Sequence, residues 1–366
     1  MNMEISRQSQ SAGDNSQQFQ LGNVTNLTIV NGISEQRARE IFQEMNQQTI
    51  AKYTQDAREE AFRRIGMLEN QVMKRAEEVH GVLEAFSDPA FQILLTEAQK
   101  RAAATERDAD YSLLSELLVA HVQKGSQRTQ RAGINRAVEI VGDIDTQALC
   151  ALTVAHAVSG YTPITGAISD GLQVLNDLFG KLIYDNLPDG NAWLDHLDIL
   201  GAVRMSSIGN MKKFNVYYPS LLEGYSCAGI NRDSDDYKKA IDTLNSVGIS
   251  SNFLIDNECL DGYVRLNIES ESSISNLAFY RNSHRIPLTV EQNDAVNTVW
   301  NMYTKDAKVK RIAQDNFMKL LSSFDSLNEL QCWWDRIPGS FHITQVGRVL
   351  AHTNAKRCDP KIPDLI

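Results

Sequence analysis

Cysteine is scarce in this chain and follows no pattern. Cys150, Cys227, Cys259, Cys332 and Cys358 are odd in number, widely spaced and never form a CxxC pair. That argues against a disulfide framework and a cysteine-built zinc site, and for reduced thiols in a cytoplasmic protein. Positive charge is also in short supply. Lys and Arg number 36 against 46 Asp and Glu, leaving a net charge of −10 and a pI near 5.3. A negative surplus opposes nonspecific attraction to nucleic acid or to an anionic membrane. The opening "MNMEISRQSQSAGDNSQQ" has no apolar run of the kind a secretory leader needs, so the sequons at Asn23 and Asn26 are expected to stay unmodified. The longest stretch free of Asp, Glu, Lys and Arg is Thr146 to Ser169. It is long enough for a bilayer, but Gln147, His156, Gly160 and Pro163 suit a buried helix ending near Tyr161 and then a turn. No membrane contact is expected.

Local signatures of chemistry are missing too. The sequence contains no GxSxG, GxxxxGK[ST] or GxGxxG. Its seven histidines, at positions 80, 121, 156, 196, 284, 342 and 352, form no HxH, HExxH or Cys/His cluster. His196 has Asp195 and Asp198 beside it, yet neither aspartate shares its angle on a helix. "NRDSDDYKKAID", residues 231–242, offers oxygens at alternate positions as a calcium loop would. Asp236 replaces the turn glycine, Lys239 falls at the ninth position and Asp242 stands where a bidentate glutamate belongs. A helix start explains these acids better. No catalytic residue, cofactor or metal ligand is nominated.

What is present is a large apolar and periodic content. With 366 residues, 42% hydrophobic and 22% charged, the chain suits two or three domains with a sizeable core. Residues 1–18 are rich in Gln, Ser and Asn and read as disordered. Residues 19–33 read as a β-forming segment, in which Phe19, Leu21, Val24, Leu27 and Ile29 are the candidate self-assembly residues. From Ser34 the apolar residues recur at spacings of three and four as far as Phe86. They predict one long helix or a helical hairpin over 34–86. A continuous helix would approach about 80 Å, which suggests a coiled coil or stalk. Residues 87–204 predict a helical bundle with helices near 89–103, 109–124, 128–142, 145–159, 168–186 and 190–203. After about residue 205 the periodicity breaks down. Residues 205–366 predict a smaller α+β domain with strands in "SNFLID", "GYVRLNIE" and "NLAFYR". Helices follow near 289–303, 306–323 and 325–335. The fold class is therefore mainly α. The closing strand and helix, with Arg348, Lys356 and Arg357 as a weak basic patch, resemble the end of a winged-helix unit. Asp335 and Asp359 interrupt that patch, so nucleic-acid binding is not the favoured use.

Two stretches resemble known sequences. "GNVTNLTIVNGISEQRAREIF", "SDPAFQILLTEAQKRAA" and "LLSELLVAHVQ", together with the closing "FHITQVGRVLAHTNAKR" and "IPDL", resemble an uncharacterised bacterial family of the accessory genome. The resemblance covers about residues 13–165 and 340–366. It implies a role in bacterial conflict or phage defence and supplies no catalytic residues. "GDNSQQFQLGNVTNLTIVNG" is similar to the short Gly-Asn-rich β-forming motifs that precede bacterial signalling and effector domains, although only one copy is present.

The expectation is a self-associating cytoplasmic interaction or sensor protein, a homo-oligomer that uses residues 19–30 to assemble and binds a protein partner. The alternatives are an enzyme with a dispersed site in 205–366, or a DNA-binding regulator acting through the C-terminal unit.

Overall fold

The computed structural model describes residues 33–50, 54–124, 127–206, 209, 211–281 and 284–363. Phe19, Leu21, Val24, Leu27 and Ile29 lie outside the described residues, as does the rest of the β-forming segment before Ile33.

Caps and turns cut the first half into helices: α1 (Glu35–Ile50), α2 (Gln55–Glu78), α3 (Val82–Ala85), α4 (Pro89–Ala104), α5 (Asp108–Lys124), α6 (Arg128–Ile140), α7 (Thr146–Gly160), α8 (Ile168–Leu182) and α9 (Ala192–Ile199). Asp88 and Asp145 accept N–H bonds that would otherwise be orphaned at the starts of α4 and α7, and Pro89 takes the first helical position, where its missing N–H costs nothing. β1 (Val203–Met205), α10 (Phe214–Leu221), α11 (Glu223–Ser226), β2 (Ile230–Asn231), α12 (Asp235–Ser246), β3 (Leu254–Asp256), β4 (Tyr263–Leu266), β5 (Ala278–Arg281) and β6 (His284–Pro287) follow. The chain closes with α13 (Val290–Asn301), α14 (Ala307–Leu321), α15 (Asp325–Trp334), β7 (Phe341–Ile343) and α16 (Gln345–Cys358). Ser234 caps α12, which puts the acids of 231–242 at a helix start. Thr289 and Gln292 form a capping box on α13. The protein is mainly α with a small α+β portion.

Of the two readings of 34–86, the structure takes the broken one and not the continuous helix. α1 and α2 are separate helices that pack on each other and on α4. Ala38 and Phe42 of α1 share one core with Ile65, Leu68 and Val72 of α2. Arg39 reaches Glu69 at 3.2 Å, and the buried Gln99 amide of α4 donates to the Phe42 carbonyl at 3.0 Å. The apolar stripe of this region is consumed inside the bundle rather than left free for a stalk.

The boundary expected near residue 205 does not divide the core. One large cluster runs from Ala38 through α9 and α10, then takes in Phe317, Leu330, Trp333, Trp334, Leu350 and Ala355 from the chain's end. A smaller cluster contains Ile230, Leu244, Val264, Leu266, Ile274, Val296 and Val299. The smaller core is thus inserted between α11 and α14 of the larger. The reason is long-range pairing. β1 runs antiparallel to β7, with Val203 opposite Ile343 and Met205 opposite Phe341. α16 then packs on α5, α6 and α7. At Gly347 a Cβ would lie 2.0 Å from the Ala202 carbonyl oxygen, so only glycine lets the helix start this close to β1.

Trp193 bridges Trp333 and Phe341, with ring centroids at 5.8 and 5.7 Å. α7 ends at Tyr161 and buries every residue from Ala148 to Ala155. Among the described residues no helix is long and apolar enough to cross a membrane. In the smaller core, β2, β4 and β3 form an antiparallel sheet in that order, and β5 and β6 form a separate hairpin.

Candidate binding cleft at the seam between the cores

β4 is covered on both faces. Val264 and Leu266 turn into the smaller core, so Arg265, one residue out of phase, turns toward the bundle and is fully buried. Among the described residues no carboxylate pairs with it. Its Nη2 donates to the Gly166 carbonyl at 2.5 Å, and its Nη1 donates to the carbonyls of Leu266 and Ile268 at 3.2 and 3.3 Å. The guanidinium lies 5.5 Å from the centroid of the Tyr225 ring, a cation–π contact. The Tyr225 hydroxyl donates to the Thr165 carbonyl.

Further polar bonds tie the two cores along this line. The Gly224 N–H donates to the Glu269 carbonyl at 2.9 Å, and a Cβ at Gly224 would meet the Ile268 oxygen at 2.3 Å. The Asn257 amide donates to the carbonyls of both Cys227 and Ala228 at 2.9 Å. The Glu258 carboxylate accepts from the N–H groups of Ile168 and Ser169 at 2.7 and 3.0 Å. It therefore caps α8, whose own N-cap residue, Ala167, has no side chain for that task.

A cleft of about 570 Å³ opens on this seam, between α10 and α11 on one side and the ends of α13 and α14 on the other. Val216, Pro219, Trp300 and Tyr303 supply apolar wall. Most neutral polar groups on the wall are already bonded within the protein. Ser220 and Ser226 donate to the carbonyls of Tyr217 and Pro219, and the Gln314 and Asn301 amides to those of Asn215 and Asn297. The Tyr303 hydroxyl accepts from the Leu266 N–H at 2.7 Å. The Cys227 thiol donates to the Gly224 carbonyl at 3.3 Å, and burial pushes its pKa up to about 12. It is protonated at neutral pH and is no nucleophile. Four exposed charged side chains remain, Glu223, Glu271, Lys305 and Lys310, and among the described residues none of them has a hydrogen bond or ion pair.

The charges are sorted by sign. Glu223 and Glu271 continue into a shallow pocket with Ser270 and Ser272. Lys310 continues into an open groove along α14 with Arg311, Lys319 and Asp315, the last 4.0 Å from the Arg311 guanidinium. Glu223 and Glu271 thus lie toward one neighbouring depression and Lys310 toward another.

The sequence-nominated basic residues all stand on α16, each with its own surroundings. Arg348 donates to Gln345 and to the Ile343 carbonyl. Arg357 lies 5.0 Å from the Tyr184 ring centroid and donates to Asn354. Lys356 is half-buried near Glu116. α16, which carries all three, is an interior helix buried from Val349 to Ala355.

A cluster that sequence reading missed lies beside it. The Tyr161 hydroxyl is 2.9 Å from His352 Nδ1, and the His156 ring stands edge-on to both rings. Burial, with His352 and Arg348 nearby, lowers the His156 pKa to about 4, and burial lowers that of His352 as well. Among the described residues no three His, Cys, Asp or Glu side chains are grouped to hold a metal ion.

Fold and cleft together define a two-core, mainly α protein with a charge-sorted cleft where the cores meet. The chain belongs to an uncharacterised protein family, whose model matches residues 32–363. No curated protein and no solved structure matches it.

Proposed function

We propose that this is an interaction or sensor protein that binds a ligand in the cleft between its cores and assembles through residues 19–30. The observation that carries the first half is the set of unpaired charges, Glu223, Glu271, Lys305 and Lys310, contributed by both sides of the seam to one cavity. A volume of this size suits a small ligand. The protonated state of Cys227 favours binding over covalent chemistry at this site. The second half rests on the sequence of 19–30, whose apolar residues are those of a strand that needs a partner. Its likeness to Gly-Asn-rich β-forming motifs supports assembly in a cytoplasmic, bacterial setting and a part in antiviral defence.

The cleft is tested by thermal shift of the full chain against a panel of amino acids, short peptides, nucleotides and sugar phosphates. At least one class should raise the melting temperature, and the E223Q/K310Q variant should lose that shift. A panel without effect overturns the cleft reading. Assembly is tested by light scattering of the full chain beside a chain starting at Ser34. Equal masses, or a full chain that stays monomeric at high concentration, overturn the assembly reading.

A further inference from the structure

We infer that the ligand of this cleft is a short peptide, bound with its cationic amino end at Glu223 and Glu271 and its anionic carboxyl end at Lys305 and Lys310. This rests on the reading of the cleft as a binding site and adds the ligand's chemistry. The free charged groups of the wall carry both signs; Glu223 and Glu271 are shared with a pocket that runs on to Ser270, and Lys310 with a groove that runs on to Arg311, Asp315 and Lys319. A polyanion such as a nucleotide would meet the two lysines but also bring charge up to the two glutamates. A polyamine would meet the reverse conflict. A ligand with opposite charges at its two ends satisfies all four side chains at once. The same wall carries Val216, Pro219, Trp300 and Tyr303, which suit a body of small apolar side chains, and the volume of about 570 Å³ is large for a free amino acid and suits a few residues. Because the neutral polar side chains around them are bonded internally, side-chain recognition there rests on charge position more than on hydrogen-bond pattern.

The test is isothermal titration of the full chain with two isomeric tetrapeptides with free termini, Lys-Ala-Ala-Glu and Glu-Ala-Ala-Lys. They share composition and net charge and differ only in where the charges sit. The first should bind about tenfold more tightly, the size expected when several exposed ion pairs of modest strength change from attractive to opposed. E223Q/K310Q should bring the isomers within about twofold. All four charges are exposed, so these variants should fold, and circular dichroism checks it. Equal binding of the isomers, or no binding of either at millimolar concentration, overturns the inference. If the peptides fail while another panel class still shifts the melting temperature through Glu223 and Lys310, the cleft reading stands and only the peptide assignment falls. If nothing shifts it, both fall.

Discussion

The larger core and the smaller core solve the same packing problem with different means. The larger stacks helices around α7 and α16, which are buried along most of their length. It also encloses His121 and His352, with His156 half-buried against His352. The smaller has a sheet of two- to four-residue strands under α12 and α13. Among the described residues it buries no histidine, and His284 is exposed. Strands this short make a marginal sheet alone, so the smaller core depends on the bundle. The difference teaches why the seam is so polar. An inserted unit whose loops face a finished bundle must satisfy its backbone groups across the contact, and Arg265, Asn257 and Glu258 do so.

The largest expected effect comes from truncation at Gly339, which removes β7 and α16. Leu350, Val349 and their neighbours would leave the larger core open. Each large buried side chain contributes roughly 1.5–3 kcal/mol, and their sum approaches the whole stability of a typical domain. Circular dichroism should show no cooperative helical melt, and an unchanged melting temperature would remove α16 from the core.

Arg265→Met should cost less, about 2–4 kcal/mol, by removing a buried donor from the carbonyls of Gly166 and Ile268 and one of two donors from that of Leu266. The cost should fall on the joint between the cores. Trp193, Trp333 and Trp334 report on the larger core and Trp300 on the smaller, so variants that keep one set resolve the two transitions. In the variant the Trp300 signal should be lost at lower denaturant than the others. A single shared transition would mean that the seam does not hold the cores together through this residue.

Acid should act on the larger core. Burial keeps His156, His352 and His121 below their ordinary pKa of about 6.5, His156 at about 4. Unfolded, these groups bind protons that the folded state refuses. The stability they confer is present above about pH 6.5 and is lost as pH falls toward 4. His156 alone accounts for about 2–3 kcal/mol of that loss. Urea midpoints from the larger-core tryptophans should fall between pH 7 and pH 5 more than that from Trp300, and His156→Leu should flatten the difference. The smallest effect is expected at Arg37, whose pairs with Glu40 and Glu44 are exposed; Arg37→Ala should leave the urea midpoint indistinguishable from that of the unaltered protein.

Much of the secondary structure was legible because its causes are local. Apolar spacing and capping residues marked α4, α7, α12, α13 and α16 to within a few residues, and alternation marked β3, β4 and β5. The division of the cores was not legible. It depends on β1 meeting β7, more than a hundred residues away, and three-residue strands leave almost no pattern. Arg265 was hidden for a related reason. In a strand buried on both faces, alternation of apolar and charged residues no longer means inside and outside. The cleft drew its charges from four segments, and none of Glu223, Glu271, Lys305 and Lys310 belongs to a motif. His156 and Tyr161 would stand about 140° apart around a helix, so their spacing marks no shared face, and His352 joins them only through the docking of α16.

Native-state hydrogen exchange followed by mass spectrometry compares the two cores most directly. Amides of α7 and α16 should exchange only through global unfolding, while those of β2 to β4, α12 and α13 open together at a lower free energy, lowered again by Arg265→Met. Exchange of both regions at one common free energy, with the variant shifting them equally, would contradict a smaller core that is packed separately and held on by its seam.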